Sequence, residues 1–251
     1  MKDTRQDQIY STPHDKIARF SFDERVASCF PDMINRSVPG YSQIVSMCGL
    51  FAKRYLQEGG HIYDLGCSHG AVTLSILQQN PERSFTVSAV DLSPAMVNHA
   101  RANIEQHVPE QRLRDITVIE GDVLALDYQP ANMIFMNFTL QFLPPESRET
   151  LIKRLFNSLE PGGVLVLSEK ITRETSAIEE EVFSLHHDFK RANGYSQLEI
   201  SQKRSALENY MITDTLETHH QRLENAGFST HFTWFEYLNF ASMIAFKSED
   251  A

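Results

Sequence analysis

A short loop of small residues follows the first strand-like run of the sequence. In "HIYDLGCSHG", residues 61–70, Asp64 precedes Gly66, Ser68 and Gly70. Glycine and other small residues allow backbone conformations and close approaches that larger side chains prevent. In an open α/β sheet, ligands bind at the carboxyl ends of the strands, beside the topological switch point. The loop is therefore predicted to hold a ligand close to its backbone.

Polar residues end the later strand-like runs. Asp91 in "VSAVDLSP" lies 27 positions after Asp64 (91 minus 64), a spacing that suits a carboxylate holding two ribose hydroxyls. Asp122 ends "IEGDV", and Asn137 ends the fourth run. The alternative is that both aspartates cap the helices that follow, and that Asn137 serves a turn. Two strand-end carboxylates in order after a glycine loop favour the ligand interpretation.

The elements that must position these residues alternate between strand and helix. The strand-like runs are apolar on both faces, as parallel strands covered by helices are. The last two runs, "WFEYLN" and "SMIAFK", read as an antiparallel pair that closes one edge. We predict an α/β fold with a doubly wound, mostly parallel seven-stranded sheet and an antiparallel edge strand, in a single domain spanning residues 1–251.

Two helical segments lie outside this alternation. Residues 1–60 read as helices broken at Pro31 and Pro39, and residues 176–211 read as a helical insertion. Additions of this kind usually cover the carboxyl ends of the strands. We expect the first to form an N-terminal lid and the second to form a wall of the substrate site.

Composition limits the classes of function. The 251 residues carry a formal net charge of −10, which disfavours direct binding to nucleic acid. The three cysteines, Cys29, Cys48 and Cys67, lack metal-ligand spacing and suit a reducing cytoplasm. Cys67 has no evident activating partner, so a small loop residue is favoured over a nucleophile. No run approaches the ~18 apolar residues that span a bilayer, so a soluble, unexported protein is expected.

The insertion carries an arginine in an unusual position. Ser196 and Glu199 form the S-x-x-E pattern of a capping box that starts a helix. An apolar stripe with Arg204 in it follows at spacings of four, three and four residues: Ile200, Arg204, Leu207 and Met211. Arg204 can snorkel, pair with a structural carboxylate or face an anionic ligand, for which a carboxylate suits its geometry.

Two adjacent histidines, His186 and His187, precede that helix. Adjacent residues on a helix point in different directions, and no third ligand is spaced with them. Structural or surface roles are favoured, and no metal site is expected.

The loop and the strand-end acids resemble the D/E-x-G-x-G-x-G signature of class I S-adenosylmethionine-dependent methyltransferases, with Ser68 in place of the middle glycine. "LEPGGVLVLSE" is similar to that superfamily's entry to its fifth strand, and the likeness covers about residues 60 to 170. Longer stretches resemble a narrower family, the carboxy-S-adenosyl-L-methionine synthases of bacterial wobble-uridine modification in tRNA. They are "FDERVASCFPDMINRSVPGY", "YDLGCS", "NFTLQFL", "LSEK" and "HHDFKRANGYSQLEISQKRS".

The narrower resemblance implies a transferase that uses S-adenosyl-L-methionine as substrate. Prephenate would supply the carboxyl group and leave as phenylpyruvate, and no methyl group would be transferred. The product would pass to a separate enzyme that carboxymethylates tRNA, giving 5-carboxymethoxyuridine. A homodimer is expected. The alternatives are a class I methyltransferase acting on a small anionic acceptor, and a non-catalytic S-adenosylmethionine-binding protein.

The resemblance also implies a set of site residues. Arg204 would be the catalytic residue and would pair with the added carboxylate. Tyr41 has an alternative role, packing in a hinge after Pro39. The implied binding residues are Tyr41, Gly66, Cys67, Ser68, Asp91, Leu92, Asp122, Val123, Asn137 and Arg204.

Overall fold

A twisted β-sheet forms the centre of the computed structural model, which describes residues 6–13, 18–173, 175–208 and 210–250. Seven strands follow one another in the order β3-β2-β1-β4-β5-β8-β7, and the two-residue β6 pairs with the end of β5. The strands are β1 (Gly60–Leu65), β2 (Phe85–Asp91), β3 (Ile116–Glu120), β4 (Ala131–Asn137), β5 (Leu159–Thr172), β6 (Asp214–Thr215), β7 (Thr230–Tyr237) and β8 (Phe240–Phe246).

Helices cover both faces and the carboxyl ends of the strands. They are α1 (Glu24–Ser37), α2 (Tyr41–Tyr55), α3 (Ala71–Gln79), α4 (Pro94–His107), α5 (Glu110–Leu113), α6 (Pro145–Ser158), α7 (Ser176–Ala192), α8 (Gln197–Leu207) and α9 (Leu216–Ala226), with a 3-10 helix at Leu140–Phe142. No helix in the described ranges has the length and apolar character needed to cross a bilayer.

The strand order confirms the predicted doubly wound fold. β1 pairs in parallel with β2 on one side and with β4 on the other, so the chain reverses its direction of winding there. The connections after β1 and β4 therefore diverge and leave a crevice. β8 runs antiparallel to both β5 and β7. The predicted antiparallel pair thus closes one edge, with β8 inside the sheet and β7 at the edge itself.

Alternation of side chains along the strands divides the core between the two faces. Ile62 packs into a cluster with residues of α2 and α3, whereas Tyr63 and Leu65 pack into the cluster beneath α6 and α9. On β4 the buried residues alternate in the same way. Successive side chains of a strand point to opposite faces, so strands covered on both sides must be apolar throughout.

The predicted break at Pro31 is wrong, because α1 continues through that residue. A proline inside a helix removes one backbone hydrogen bond and costs about 3 kcal/mol relative to alanine. The neighbouring Phe30 and Met33 are buried, and their packing outweighs this local cost.

The helices of the N-terminal segment have different environments. α2 packs on α3, and its Ile44, Cys48 and Ala52 are fully buried in the main core. α1 packs on α4 and, with Phe20, joins a separate cluster that includes Met96 and Ala206. Most of α2 therefore belongs to the main core, and only its first residue, Tyr41, reaches the cavity with α1. Residues 1–5 and 14–17 of the predicted lid, and residue 209 of the predicted insertion, lie outside the described residues.

Candidate functional site

A large cavity lies at the carboxyl ends of the parallel strands. Its volume is about 1080 Å³, at the upper end of the range of roughly 300–1,000 Å³ found for small-molecule sites. The loops after β1 to β4 form its floor, and α1, α7 and α8 form its walls. A cavity of this size can hold two small molecules side by side.

The Gly66 loop is held against the neighbouring strand. The backbone N–H groups of Gly66 and Cys67 both donate to the Val90 carbonyl of β2, at 2.8 and 3.0 Å. Gly66 has φ +75°, and a Cβ atom on it would lie 1.9 Å from Thr139 Oγ1. Ser68 also has a positive φ, 49°. Glycine is therefore required at position 66, whereas position 68 tolerates serine in the left-handed region.

Asp64 anchors this loop from beneath. Its Oδ2 accepts hydrogen bonds from Thr73 Oγ1 at 2.7 Å and from the Thr73 backbone N–H at 3.1 Å. The carboxyl group is buried, and burial raises its pKa to about 6, while the two bonds from Thr73 oppose that shift. Asp64 thus fixes the start of α3 relative to β1.

Asp91 joins two loops of the cavity floor. Its Oδ2 accepts from the Ser68 backbone N–H, and its Oδ1 accepts from the Ser93 backbone N–H, both at 2.9 Å. Burial raises the pKa of Asp91, and these backbone donors oppose the shift. The N-cap of α4 is Ser93, whose hydroxyl accepts from the Met96 N–H. The capping alternative for Asp91 is therefore wrong, and its carboxylate lines the cavity.

Leu92, Asp122 and Val123 lie on the same side of the cavity floor. Asp122 is exposed in a turn that leads into no helix, and its Oδ1 accepts from the Leu124 N–H at 2.8 Å. The helix-capping alternative is wrong for Asp122 as well. Val123 is buried, whereas Leu92 is 69% exposed despite its apolar side chain. An apolar ligand group lying on this floor would cover Leu92.

Asn137 is oriented by a chain of hydroxyl groups across three strands. The Ser168 hydroxyl of β5 donates to Asn137 Oδ1 at 2.5 Å and lies 2.7 Å from the Ser242 hydroxyl of β8. Asn137 Nδ2 donates to Cys48 Sγ at 3.7 Å. Asn137, Ser168 and Ser242 also face one another in the strand register. This fixed amide differs from an ordinary turn asparagine, because it is held by the sheet.

Tyr41 and Cys67, two further residues of the predicted set, also line the cavity. Tyr41 is the first residue of α2, and its ring centroid lies 6.2 Å from that of Phe138 at the cavity. Burial and the nearby Asp64 raise its pKa. Cys67 lines the cavity but is buried, and burial raises its pKa well above the ordinary value. Its environment thus favours the thiol over the reactive thiolate.

Arg204 faces the cavity from α8, but not from a buried stripe. The predicted capping box is confirmed, and α8 then ends at Leu207. The buried face of the helix includes Ile200, Lys203 and Ala206, while Arg204 is exposed to the cavity and Met211 lies outside the helix. Leu207 and Met211 line the cavity with Arg204, whereas Ile200 is buried, so the predicted stripe is confirmed only in part. The Arg204 guanidinium carbon lies 4.7 Å from the centroid of the Phe183 ring on α7.

Two lysines that the sequence analysis did not select lie near Arg204. Lys170 near the end of β5 and Lys190 on α7 line the same cavity, and we call Lys170, Lys190 and Arg204 the cationic wall. Burial lowers the pKa of Lys190 to about 7, with further lowering by Lys203 and Lys170. Burial and Arg204 also lower the pKa of Lys170, against the opposing effect of Glu179. The helical spacing of polar residues along α7 was the sequence signal that could have identified Lys190, whereas Lys170 lies on β5 and had no such signal.

The two histidines of α7 have separate roles. His186 is buried, with Nε2 2.8 Å from the Ser37 carbonyl and its ring 5.1 Å from that of Phe240, in agreement with a structural role. His187 lines the cavity and packs on Phe183. Within the described ranges, no group of three or more histidine, cysteine or acidic residues is arranged to hold a metal ion.

A buried carboxylate that the sequence analysis missed supports the loop after β4. Glu169 accepts the backbone N–H groups of Thr139, Leu140 and Gln141 at distances of 2.9 to 3.1 Å. Burial raises its pKa to about 8, while these three donors oppose the shift. Glu169 thereby fixes Thr139, the residue that approaches Gly66 most closely.

Solved structures share this fold. An O-methyltransferase family protein from Burkholderia thailandensis superposes with a TM-score of 0.65 at 19% identity, covering 92% of this chain and 62% of that one. The S-adenosylmethionine-dependent methyltransferase SibL superposes with a TM-score of 0.60 at 14% identity, covering 90% and 58%. The chain thus spans about three fifths of their length. The fold and the strand-end site define a protein of the class I methyltransferase type.

Sequence relatives identify the family within that class. The Methyltransferase domain model matches residues 62–163. Carboxy-S-adenosyl-L-methionine synthase from Chromohalobacter salexigens is 58% identical over 96% of this chain and 88% of its own length. The enzyme of that name from Escherichia coli K12 is 49% identical over 99% of both chains. The chain belongs to the carboxy-S-adenosyl-L-methionine synthase family, as the resemblance of its lid and insertion indicates.

Proposed function

We propose that this enzyme converts S-adenosyl-L-methionine and prephenate into carboxy-S-adenosyl-L-methionine, phenylpyruvate and water. The observation that carries the proposal is the shared cavity, which is lined by both the cationic wall and the glycine loop with its strand-end carboxylates. A methyl transfer to a neutral acceptor needs no such wall. A reaction that adds a carboxylate to the substrate needs cations at the site, because they stabilise the negative charge that the substrate gains.

The floor of the cavity is the proposed site for S-adenosyl-L-methionine. Asp91 retains acceptor capacity for the ribose hydroxyls, since each of its oxygens accepts a single backbone bond. The exposed Leu92 and the buried Val123 offer apolar surface to the adenine, and Asp122 lies beside them. The remaining residues of the proposed site are Tyr41, Gly66, Cys67, Ser68 and Asn137.

Arg204 is the proposed catalytic residue. The sulfonium group acidifies the methyl C–H bond, and one methyl hydrogen is replaced by the carboxylate. Prephenate gives up its ring carboxyl group as carbon dioxide and its hydroxyl group as hydroxide, and the methyl proton and the hydroxide combine to form water. Arg204 holds the new carboxylate bidentately and stabilises its charge as it forms. The Phe183 ring, 4.7 Å from the guanidinium carbon, contacts Arg204 by a cation–π interaction and restrains its position.

The lid keeps bulk water away from this reaction. Phe30 and Met33 of α1 line the cavity, as does Phe142 after β4. The ring of Phe22, which precedes α1, lies 5.3 Å from that of Phe142 and so links the lid to the floor. Solvent would otherwise protonate the reacting carbon in preference to carboxylation.

The product and assembly of the enzyme are part of the same proposal. Carboxy-S-adenosyl-L-methionine would serve a separate enzyme that carboxymethylates the wobble uridine of tRNA. That division of work agrees with the net charge of −10, which disfavours contact with a tRNA backbone. We also propose that the enzyme acts as a homodimer.

The test is mass spectrometry of purified enzyme incubated with S-adenosyl-L-methionine, with and without prephenate. We expect a prephenate-dependent gain of one carboxyl unit on the nucleoside, with release of phenylpyruvate. Arg204→Ala should lower turnover by at least about tenfold, the equivalent of about 1.4 kcal/mol of transition-state stabilisation. An unchanged nucleoside would overturn the proposal. Formation of S-adenosylhomocysteine with a methylated anionic acceptor would support the alternative methyltransferase function.

A further inference from the structure

One face of α7 points into the cavity. Glu179, Phe183, His187 and Lys190 follow at intervals of four, four and three residues, which places them on one side of a helix. All four line the cavity. Lys170 reaches the same space from β5. Two ammonium groups from different elements therefore share this end of the cavity with the Arg204 guanidinium.

The charges of Lys170 and Lys190 are not neutralised by protein groups in contact with them. In the part of the chain that the structure describes, neither Nζ atom has an ion-pair or hydrogen-bond partner. Lys203 differs, because its Nζ lies 3.4 Å from Asp7 Oδ2 and 3.1 Å from the Ser37 hydroxyl. Its charge is already compensated within the protein.

Glu179 offsets part of the charge of the wall. It interacts with Lys170 at longer range, while its Oε2 accepts the Arg173 backbone N–H at 2.7 Å. When Lys190, whose pKa is lowered to about 7, carries its proton, three cations and this carboxylate leave a net charge of +2 (3 minus 1). Glu180 and Glu208 also line the cavity, but both are exposed and their effect is screened by water. Like charges gathered without a counter-ion destabilise one another, so an anionic ligand with two charges would relieve the repulsion.

We propose that Lys170 and Lys190 bind the carboxylate that the donor retains and thereby select a dicarboxylate over a monocarboxylate. The inference rests on the proposed function, in which Arg204 takes the carboxyl group that is transferred. A donor with two carboxylates then presents its second one to the two lysines. A neutral or singly charged acceptor would leave part of the wall uncompensated.

The first test compares Lys170→Met and Lys190→Met with a matched control, Lys53→Met, whose lysine is exposed on α2. Each wall variant should raise the KM for prephenate by about 10- to 100-fold, as expected for a lost hydrogen bond to a charged group. The dissociation constant for S-adenosyl-L-methionine, measured by calorimetry without donor, should change by less than about threefold. Lys53→Met should match the wild type in both measurements.

A second measurement does not depend on turnover of the donor. Phenylmalonate, a dicarboxylate, should compete with prephenate more strongly than phenylacetate, a monocarboxylate, and either lysine substitution should remove that preference. Lys190→Arg keeps the cation and should therefore retain at least part of the preference for phenylmalonate over phenylacetate. If a methionine variant does not fold, Lys170→Gln and Lys190→Gln serve in its place, with folding checked by circular dichroism.

The pH dependence of the KM for prephenate separates the contribution of Lys190 from the contributions of its neighbours. Because the pKa of Lys190 is lowered to about 7, the KM of the wild type for prephenate should rise as pH increases above 7. Lys190→Arg should not show this rise, since arginine stays protonated. The ionisable groups around Lys190 are Lys170 on β5, Glu179, His186 and His187 on α7, and Lys203 and Arg204 on α8.

The outcomes separate the two proposals. A wild type that makes no carboxy-S-adenosyl-L-methionine from prephenate overturns the proposed function. An active wild type whose lysine variants keep the donor KM within threefold of Lys53→Met overturns the assignment of Lys170 and Lys190. The assignment also fails if the variants weaken the binding of S-adenosyl-L-methionine as much as the binding of prephenate.

Discussion

The backbone at Gly66 allows a quantitative test of how the ligand loop is built. Gly66→Ala would place a methyl group 1.9 Å from Thr139 Oγ1 and 2.9 Å from both carbon atoms of that side chain. The left-handed conformation, φ +75°, costs a non-glycine residue about 1–2 kcal/mol. Overpacking against Thr139 adds about 1–3 kcal/mol. The free energy of unfolding should therefore fall by about 2–5 kcal/mol, the sum of these two costs.

Gly59→Ala is a matched control for the conformational part. Gly59 has the same φ of +75°, but a Cβ atom there would meet nothing within 4 Å. Gly59→Ala should therefore lower the free energy of unfolding by the conformational cost alone, about 1–2 kcal/mol. Gly59 lies before β1, away from the cavity, so its substitution should leave the affinity for S-adenosyl-L-methionine unchanged, whereas Gly66→Ala should weaken it.

The assay is urea unfolding followed by fluorescence of Trp234, the sole tryptophan. Its ring packs 5.1 Å from that of Phe51 and so reports loss of packing between β7 and α2. Thr139→Gly has a cost of its own, because the Thr139 hydroxyl donates to the Leu65 and Asn137 carbonyls, so the double variant is compared with Thr139→Gly alone. In that background Gly66→Ala should lose only the conformational cost of about 1–2 kcal/mol. Equal losses for Gly66→Ala and Gly59→Ala in the wild type, or an unchanged loss for Gly66→Ala in the Thr139→Gly background, would refute the reasoning.

Three further perturbations test the supports of the site. Ser168→Ala removes the donor to Asn137 Oδ1 and should weaken S-adenosyl-L-methionine binding by about three- to tenfold, measured by calorimetry. Arg148→Met should lower the free energy of urea unfolding by about 3–5 kcal/mol, because the buried guanidinium bonds Asp214 and three backbone carbonyls. Burial raises the pKa of Asp64 to about 6, so its contribution to stability is fully present below pH 3.8 and is lost as pH rises through 6. Relative to Asp64→Asn, wild-type stability should fall over that window, and a parallel pH profile would contradict this.

Much of the fold could be predicted from local patterns. Continuous apolar runs such as the one around Ile62 identify strands covered on both faces, and the glycine loop locates the switch point. The break predicted at Pro31 failed for a physical reason. The cost of a proline in a helix is local, whereas the burial of Phe30 and Met33 against distant residues is not visible in the sequence.

The site was predictable where the signal lies in one loop and was missed where it depends on distant pairing. Asp91 was identified as a strand-end carboxylate, but the bond to Ser68 that distinguishes it from a helix cap needs the fold. The buried face of α8 was not predicted, because Lys203, a charged residue, lies on it. That burial requires Asp7, which is 196 residues away in the sequence.

The pairing of Asp7 with Lys203 also explains how a cationic wall and a closed lid coexist. The Asp7 carboxylate accepts from Tyr195 Oη at 2.5 Å and contacts Lys203, so one acidic residue of the N-terminal segment contacts the insertion both just before α8 and on α8 itself. Asp7 neutralises the buried Lys203 and leaves Lys170 and Lys190 to the ligand that we propose. If the charge on Lys203 were free as well, the repulsion across the wall would favour an open lid. The anion binding and water exclusion that we propose for the cavity therefore both rely on this buried ion pair.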